Sequence, residues 1–519
     1  MSSIDRSRWS HATLVFVALL LVVGGCTRDA TQPEPSGRAS DLSSTPNAPS
    51  APPVEVCDHQ APGPTQPPEG AITVDPDVVG DLANQTAAHP AGTTFWLATG
   101  RHTLTKEEFA QVIPKDGNVY VGAPDAILDG QGVNRFAFTT QAKGVTIRHL
   151  TVQGFVAPND QGVVNHDSGD DWVIEDNTIQ RNQGAGLMAG ARQVVRRNCL
   201  RENGQYGMNA YQAGDGITAL VVESNEIVGN NTGDWETRVP GCGCTGGVKF
   251  WAVRGADVRS NWIHGNHGAG LWADTNNTDF LIEGNLIESN DAEAIFYETS
   301  YNLTMRFNML RNNTWVKGRQ FRARNDTFPV AAVYVSESGG APDLGGRTDR
   351  IDIERNVLEN NWSGVTAWEN ADRFCNSPAN TSGRYCPLGG GTLSQCVQPA
   401  ISKPPLYDTC RWKTQRVDVH DNTFSFDPEA LGCPSGPVGT MALLSNYGTF
   451  PKWSPYKGDV IQEAITFRNG NTWRNNSYRG PWRFMPHDVG RVMQPADWQA
   501  SPYGQDTGSS FVDQGSDRC

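Results

Sequence analysis

The residues of this chain best suited to chemistry are two carboxylates, Asp274 and Glu298, which lie near Lys249 and several aromatic residues. When two carboxyl groups are held close together, one pKa is raised and the pair divides into an acid and a base. Such pairs cleave glycosidic bonds. The alternative chemistry is elimination next to a uronic carboxylate. Lys249 would then be the base, and Asp274 and Glu298 would be candidate oxygen ligands for Ca²⁺.

Aromatic and basic residues accompany this pair. Flat rings provide stacking surfaces for sugar faces, and a row of rings suits a polymer. The segment from Arg306 to Arg324 is the most basic stretch of an acidic chain and suits an anionic polymer. The candidates for substrate binding are Tyr211, Trp251, Trp272, Trp368, Arg319 and Arg322. The structural alternative is that the rings pack under long insertions and that the acids form salt bridges with Lys249, Arg254 or Arg259.

A repeat in the sequence is needed to bring these residues together. Nine segments share an apolar-rich stretch, an Asn and a further apolar residue, with the Asn at positions 177, 198, 225, 261, 285, 308, 356, 422 and 471. The close steps are 21, 27, 24 and 23 residues, a period that indicates a solenoid. After each Asn segment, a pair such as Gly186-Leu187 or Gly270-Leu271 opens a second short strand. Each coil is therefore predicted to supply at least two strands.

These segments resemble the right-handed parallel β-helix repeats of the pectate-lyase-like superfold, over about residues 71 to 485. The resemblance implies an all-β solenoid with inserted loops. The Asn residues would lie at the bends, where Asn tolerates a left-handed backbone and stacked amides can bond along the axis. The fold alone gives no activity, because such scaffolds host lyases, hydrolases, epimerases, adhesins and copper-delivery accessory proteins. The last class is disfavoured, since the chain has only 8 Met and its His are scattered.

In the second strand of each coil, alternate side chains point outward and form columns along the axis. One predicted column is Asn209, Lys249, Trp272, Phe296 and Tyr334. The next is Tyr211, Trp251, Asp274, Glu298, Ser336 and Trp368. Adjacent coils are about 4.8 Å apart, so the side chains of Asp274 and Glu298 should nearly touch. A catalytic role requires both in one open groove, and their burial beneath the loop after Trp368 would refute the proposed site.

The N-terminus is predicted to direct export. Arg6 and Arg8 precede an apolar run from Ala12 to Val23, which is short for a bilayer span and typical of a signal peptide. The run ends in Val23-Gly24-Gly25-Cys26, which resembles a bacterial lipobox and implies a lipid anchor on Cys26. We therefore expect a signal peptide at 1–26, a Pro- and Ser-rich flexible linker at 27–70, the β-helix at 71–485 and a C-terminal tail at 486–519.

Ten cysteines besides Cys26 would face a disulfide-permissive compartment. Five of them, Cys375, Cys386, Cys396, Cys410 and Cys433, fall in one insertion at 371–435, where bridges are expected rather than metal. The net charge of −14 argues against a general nucleic-acid binder. The sequence thus predicts a monomeric, surface-anchored, carbohydrate-active protein, either a polysaccharide lyase or a glycoside hydrolase. A non-catalytic glycan-binding protein and a structural surface protein remain the alternatives.

Overall fold

The computed structural model describes residues 48–49, 51–211, 216–240, 246–429, 438–487 and 490–512. The predicted export signal and Cys26 lie outside these ranges, as do Cys242, Cys244 and Cys433. Within them, no helix has the length and apolar character needed to cross a membrane.

The fold is a right-handed parallel β-helix with three long sheets, in which consecutive coils pair in parallel. Sheet I has 13 strands: Ile72–Val74, Thr94–Leu97, Val119–Gly122, Thr146–Arg148, Val173–Glu175, Val194–Arg196, Ile217–Glu223, Val253–Arg259, Thr278–Glu283, Leu303–Arg306, Ile351–Glu354, Val417–His420 and Thr472–Arg474. Sheet II also has 13: Gly100–Thr103, Ala126–Asp129, Thr151–Gln153, Thr178–Gln180, Cys199–Arg201, Glu226–Val228, Trp262–His264, Leu286–Glu288, Met309–Arg311, Val357–Glu359, Thr423–Ser425, Ser477–Arg479 and Ser510–Val512. Sheet III has 10: Gly162–Val164, Ala185–Met188, Met208–Tyr211, Gly246–Trp251, Ala269–Asp274, Ile295–Glu298, Val333–Ser336, Val365–Glu369, Thr440–Ser445 and Arg483–His487.

Short helices lie at the ends of the solenoid and in its insertions. The α-helices of the described residues are α1 (Asp81–Ala88), α2 (Trp235–Arg238), α3 (Trp315–Ala323), α4 (Leu406–Thr409), α5 (Asp459–Glu463) and α6 (Pro495–Gln499). Single 3₁₀ turns cover Pro342–Leu344 and Ala400–Ser402, and a π-helical turn covers Ala464–Arg468. Helix α1 buries Leu82 and Thr86 at the N-terminal end.

The core consists of apolar side chains stacked coil upon coil. In sheet I, Ile174 pairs in register with Val195, which pairs with Val222 and then Val258, and all four are fully buried. Sheet II carries an equivalent stack that includes Ile179. β-Branched residues fit such half-buried pleated surfaces well. The short apolar runs of the sequence therefore dictate which face of each strand points inward.

Buried asparagines connect the coils at the corner between sheets I and II. Asn198 donates from its backbone N–H and from its side-chain amide to Oδ1 of Asn225, both at 3.0 Å, and the same pattern repeats along the axis. The predicted ladder is confirmed from Asn177 to Asn422. The prediction of Asn471 as its last member was wrong, because Asn422 donates to Asn476 and not to Asn471. Asn471 instead precedes its strand and accepts the N–H of Val417.

A second asparagine ladder lies at the corner between sheets II and III. Its members follow those of the first ladder by five positions, and they bond to one another in the same way: Asn182, Asn203, Asn230, Asn266, Asn290, Asn313 and Asn361. Sequence analysis did not identify this ladder, although Asn at a fixed offset was a visible signal. Two of the three corners are therefore held by continuous amide hydrogen bonds.

The segment before the first strand is packed against the β-helix. The backbone N–H groups of Val56 and Cys57 both donate to the carboxylate of Glu226 at 2.8 Å. Further along, the indole of Trp96 donates to the carbonyl of Pro64 at 3.1 Å. The segment therefore crosses several coils, and the flexible linker that was predicted to reach residue 70 gives way to docked chain from about Val56.

Three disulfide bonds form among the described cysteines: Cys57–Cys199, Cys375–Cys386 and Cys396–Cys410. Disulfides persist in oxidising compartments, which supports export of the protein. The last two staple the Cys-rich insertion as predicted. This insertion ends earlier than residue 435, since the coil resumes at Val417, and the solenoid continues past residue 485 to a last strand at Ser510–Val512.

An outward column at the edge of sheet I alternates between Arg and Glu from Arg148 to Glu354, and it ends in two basic residues, His420 and Arg474. Its members, in register order, are Arg148, Glu175, Arg196, Glu223, Arg259, Glu283, Arg306, Glu354, His420 and Arg474. Arg196 bonds to Glu175 at 2.8 Å and Arg306 bonds to Glu283 at 2.6 Å. Opposite charges facing one another across a sheet stabilise the pairing, whereas like charges oppose it.

We predict that Cys57→Ser lowers the free energy of unfolding by about 2–4 kcal/mol, because the bridge to Cys199 closes a long loop in the unfolded chain. The two cysteines are 142 residues apart. Urea unfolding under oxidising conditions measures the effect. Cys386→Ser is the matched control, since its bridge spans only 11 residues and should matter less. Equal losses in the two variants would contradict the prediction.

We predict that His420→Gln destabilises the protein more at pH 6 than at pH 9. Burial opposes the charged imidazole, but bonds to Asp352 and Asp421, each at 2.8 Å, and the charge of Asp418 outweigh burial and raise the pKa of His420. A raised folded-state pKa stabilises the protein fully below the unfolded pKa, and this contribution is lost as pH rises through the folded value. Urea unfolding at both pH values measures the difference.

His59→Gln is the control for this experiment, because His59 lies exposed near the docked N-terminal segment. A destabilisation by His420→Gln that is independent of pH, or larger at pH 9, would refute the proposed charge on His420.

Candidate functional site

The predicted columns lie on the outer face of sheet III. Lys249 pairs in register with Trp272, and Trp272 pairs with Phe296. In the neighbouring column, Trp251 pairs with Asp274. Ala273 pairs with Tyr297, so the next residues on these two strands, Asp274 and Glu298, lie on adjacent coils at the same position. Glu298 pairs in turn with Ser336 of the following coil. The sheet thus brings the two predicted carboxylates onto adjacent coils, as the repeat indicated.

Lys249 lies between two indole rings and one carboxylate. Its ammonium is 3.1 Å from Asp274 Oδ2, 4.3 Å from the ring centre of Trp272 and 5.7 Å from that of Trp251. Cation–π attraction and the ion pair both hold the side chain of Lys249 in this position. The salt bridge between Lys249 and Asp274 is the contact that the structural alternative anticipated. The amine of Lys249 therefore faces Asp274 and the two rings.

Glu298 has a different set of partners. Its Oε2 accepts the indole N–H of Trp272 at 3.0 Å, and its Oε1 accepts Nη1 of Arg373 at 2.5 Å. The same Nη1 lies 3.6 Å from Oε2 of Glu337, which also accepts the hydroxyl of Ser336. Three acidic groups and two cations therefore share a small volume on this face.

Burial raises the pKa of Glu298 to about 6, and the negative charges of Asp274 and Glu337 act in the same direction, while Arg373 opposes them. Desolvation disfavours the charged form of a carboxyl group, and like charges disfavour it further. Glu298 is thus able to hold a proton near neutral pH. Asp274, whose charge is balanced by Lys249, is in a different environment.

The two carboxylates are not in an open groove, and this corrects the expectation from sequence. Asp274 and Glu298 are 9% and 7% exposed. Arg373, which covers Glu298, belongs to the segment after Trp368. This burial counts against free access of a ligand to the pair. A ligand must displace Arg373 or approach through the remaining exposed fraction of the Asp274 side chain, 13%.

Aromatic residues continue along the face on both sides of the charged group. Trp272, Phe296 and Tyr334 form a stack with ring centres 4.9 and 4.8 Å apart. At the other end, Tyr211 is 44% exposed and lies 5.8 Å from Trp251. The predicted aromatic candidates are thus on one face, but most of their rings pack against one another and do not present separate ring faces to a ligand.

The remaining candidates flank this row. Phe328 contacts the ring of Trp368 at 5.4 Å. Helix α3 carries Arg319 and Arg322, which are exposed and form no ion pair with any described residue. Most other arginines of the basic stretch are engaged, as Arg306 and Arg311 are with Glu283 and Glu288 of neighbouring coils. Arg319 and Arg322 therefore border the face without touching the carboxylates.

Two residues of this charged group, Arg373 and Glu337, were not predicted from the sequence. Arg373 reaches the face from an insertion whose path no repeat defines, so its position was not readable from spacing. Glu337 follows Ser336 directly and accepts the N–H of Asn370 at 3.1 Å, which holds the start of the insertion in place. An acidic residue just past the end of a strand was a weak signal for this contact.

One group of described residues has donor atoms close enough to hold a metal ion, namely Asp352, Asp418 and His420. It lies on sheet I, away from the face described above. Asp418 is already bonded to Arg474 at 2.9 Å, and His420 is bonded through both ring nitrogens. Neighbouring side chains balance the charges of these three residues, so we interpret the group as an ion-pair network.

Residues 162–356 match the family model described as right handed beta helix region. Among curated protein sequences, none matches the chain significantly. A similar solved structure is the A-module of a mannuronan C-5 epimerase from Azotobacter vinelandii, with 14% identity, a TM-score of 0.45 and coverage of 84% of this chain and 93% of that chain. Another is the catalytic unit of an α-1,3-glucanase from Streptomyces thermodiastaticus, with 13% identity, a TM-score of 0.42 and coverage of 88% and 70%. These likenesses concern the fold.

We predict that Glu298→Gln gains stability relative to the native chain as pH rises from 5 to 8. A carboxyl whose folded-state pKa is raised destabilises the folded state as it ionises, and the amide removes this ionisation. Urea unfolding of both proteins across this range measures the change. Glu202→Gln is the control, because that side chain is 48% exposed. A relative loss for Glu298→Gln over the same range would contradict the raised pKa.

Proposed function

We propose that this exported β-helix protein is carbohydrate-active and accommodates an extended glycan along the face of sheet III. The observation that carries the proposal is the combination of two carboxyl groups in unlike environments with a row of aromatic rings on the same face. Burial raises the pKa of Glu298 to about 6, and Asp274 forms an ion pair with Lys249. Aromatic rings can contact sugar faces, and a coil-by-coil row matches a polymer.

Unsatisfied donors on this face support a polar ligand. Nε of Arg373 and Nε1 of Trp251 are buried and have no hydrogen-bond partner among the described residues. Leaving a buried donor unpaired costs free energy. A hydroxyl or carboxylate oxygen of a sugar would satisfy either group once the insertion has moved, because both atoms are out of contact with solvent in this structure.

Of the two predicted reactions, we propose hydrolysis, in a state in which the insertion has moved Arg373 away from Glu298, because both carboxylates are buried in this structure. Glu298 would donate its proton to the glycosidic oxygen as that bond breaks, and water would add to the anomeric carbon. Asp274 would stabilise the developing positive charge or accept the proton of that water. Elimination is less well supported, because the amine of Lys249, which would have to take up the proton, is engaged in the contact with Asp274. A calcium ion at these carboxylates stays a prediction, with Lys249 and Arg373 now occupying the positions next to their oxygens.

The second candidate is a glycan-binding protein without turnover. The specific observation in its favour is the burial of both carboxylates beneath the insertion, with Arg373 bonded to Glu298. In that case the acidic residues would anchor the insertion, and the aromatic row with Arg319 and Arg322 would hold the polymer.

The test is to incubate the purified protein with alginate, polygalacturonate, xylan and laminarin, with Ca²⁺ or with EDTA, and to follow reducing ends and the absorbance of unsaturated products. New reducing ends alone indicate hydrolysis, and unsaturated products indicate a lyase. We expect Glu298→Gln to lower kcat by about 10²- to 10⁴-fold, as loss of a general acid does. We also expect native activity to decline above pH 6.

Glu202→Gln is the matched control and should retain full activity. If Asp274→Asn combined with Glu298→Gln leaves turnover intact, the carboxylates are not the site. Binding of a polysaccharide without any product selects the second candidate. Failure to bind or cleave any of the four polymers would count against a role in carbohydrate recognition.

A further inference from the structure

The cations of the sheet III face are paired with carboxylates of the same face. The ammonium of Lys249 lies 3.1 Å from Oδ2 of Asp274. Nη1 of Arg373 lies 2.5 Å from Oε1 of Glu298 and 3.6 Å from Oε2 of Glu337. No more than 14% of any of these five side chains is exposed, so solvent ions screen their charges much less than charges at the surface. Both positive charges are therefore balanced within the protein.

Carboxylates outnumber cations in this group. When all five side chains are ionised, three negative charges face two positive ones. A further pair, Glu293 and Lys317 at 2.6 Å, adds no net charge. The proposed hydrolysis requires Arg373 to move away from Glu298, and this movement takes a positive charge out of the group. The face that a glycan meets is therefore negative, and it is at most neutral when Glu298 holds a proton.

Two groups of the face report how it responds to an added negative charge. Burial raises the pKa of Glu298 to about 6, and the charges of Asp274 and Glu337 act in the same direction. Burial also raises the pKa of the Tyr334 phenol, and the charges of Glu337, Glu298 and Glu293 raise it further. A carboxylate of a ligand would meet the same desolvation and the same repulsion. An uncharged ligand would meet neither.

Arg319 and Arg322 are the cations near this face that would favour an acidic ligand. Both are exposed and lie on helix α3. The guanidinium of Arg319 lies 5.6 Å from the ring centre of Trp315, on the same helix. Salt screens these two charges because they are in water, whereas the buried carboxylates are screened much less. The two arginines therefore do not offset the excess of acidic groups on the face.

We propose that the glycan on the sheet III face is an uncharged polysaccharide, whose hydroxyl groups, and not carboxylates, contact the charged group. This inference rests on the function proposed above and specifies the class of its substrate. A hydroxyl both donates and accepts hydrogen bonds. Once the insertion has moved, it can bond to the carboxylates and to the buried donors Nε of Arg373 and Nε1 of Trp251. A neutral sugar also lacks the carboxylate beside which elimination takes place, in agreement with hydrolysis.

The experiment uses pairs of oligosaccharides that differ only in charge. Hexasaccharides of alginate and of polygalacturonate are compared with their carboxyl-reduced forms, and those of xylan and laminarin serve as further uncharged ligands. Each is titrated calorimetrically into the full chain at pH 8, where Glu298 is ionised, in about 20 mM and about 200 mM NaCl. We expect uncharged hexasaccharides to bind at least about tenfold more tightly than acidic ones at low salt, and the gap to narrow at high salt because repulsion is screened.

Glu337→Gln tests whether the charged group causes this preference. The variant removes one carboxylate and leaves Asp274 and Glu298 in place. We expect it to narrow the gap between acidic and uncharged hexasaccharides by about three- to tenfold. Glu202→Gln is the matched control, because that side chain is 48% exposed, and it should leave the gap unchanged. Thermal unfolding verifies that each variant is folded.

An acidic hexasaccharide that binds as tightly as its carboxyl-reduced form, or more tightly, overturns the proposed substrate class and leaves the proposed function in place. Loss of such acidic binding in Arg319→Gln combined with Arg322→Gln would assign it to helix α3. These surface substitutions also keep the test decisive if Glu337→Gln does not fold. An unchanged gap in a folded Glu337→Gln variant overturns the role of the charged group. A native protein that binds none of these oligosaccharides overturns both proposals together.

Discussion

Side-chain amides that bond along the axis hold this molecule in register. The buried Asn residues of the two ladders accept from the coil before and donate to the coil after, as Asn225 and Asn261 illustrate. A buried amide that lost its neighbour would leave donors unpaired at a cost of about 1–3 kcal/mol. Any shift of one coil relative to the next would break such bonds at two corners, and the outward columns of sheet III depend on that register.

The register explains how the charged group on sheet III can exist. Lys249, Asp274 and Glu298 come from three successive coils that are far apart in a flexible chain, and nothing local brings them together. The strand pairing sets their spacing, and the insertion that carries Arg373 then closes over them. Because two disulfides staple this insertion, its cover over Glu298 is a defined part of the structure. The acid character of Glu298 follows from that cover, since desolvation is the largest cause of its raised pKa.

The repeat made much of this predictable. Periodic Asn and alternating apolar residues determine the coil boundaries. Counting residues from these boundaries then gives the position of each side chain in an outward column, so the neighbours of Trp272 and Asp274 were correctly assigned. Residue positions cannot be assigned by counting where an insertion interrupts the repeat. Asn471 matched the pattern in letters but precedes its strand, and Asn476 takes the ladder position. Arg373 was unpredictable for a related reason, because its placement depends on how a long insertion folds back, and exposure of the carboxylates depends on the same event.

The alternating column at the edge of sheet I has a consequence for how such a chain can change over evolutionary time. In the middle of the column, Arg196, Arg259 and Arg306 each face a Glu on both neighbouring coils. Deleting or duplicating one coil would set Arg against Arg or Glu against Glu along the seam, although every Asn bond and apolar stack could re-form. Gain or loss of two coils together would preserve the alternation. The column therefore favours growth and shrinkage of this solenoid by pairs of coils.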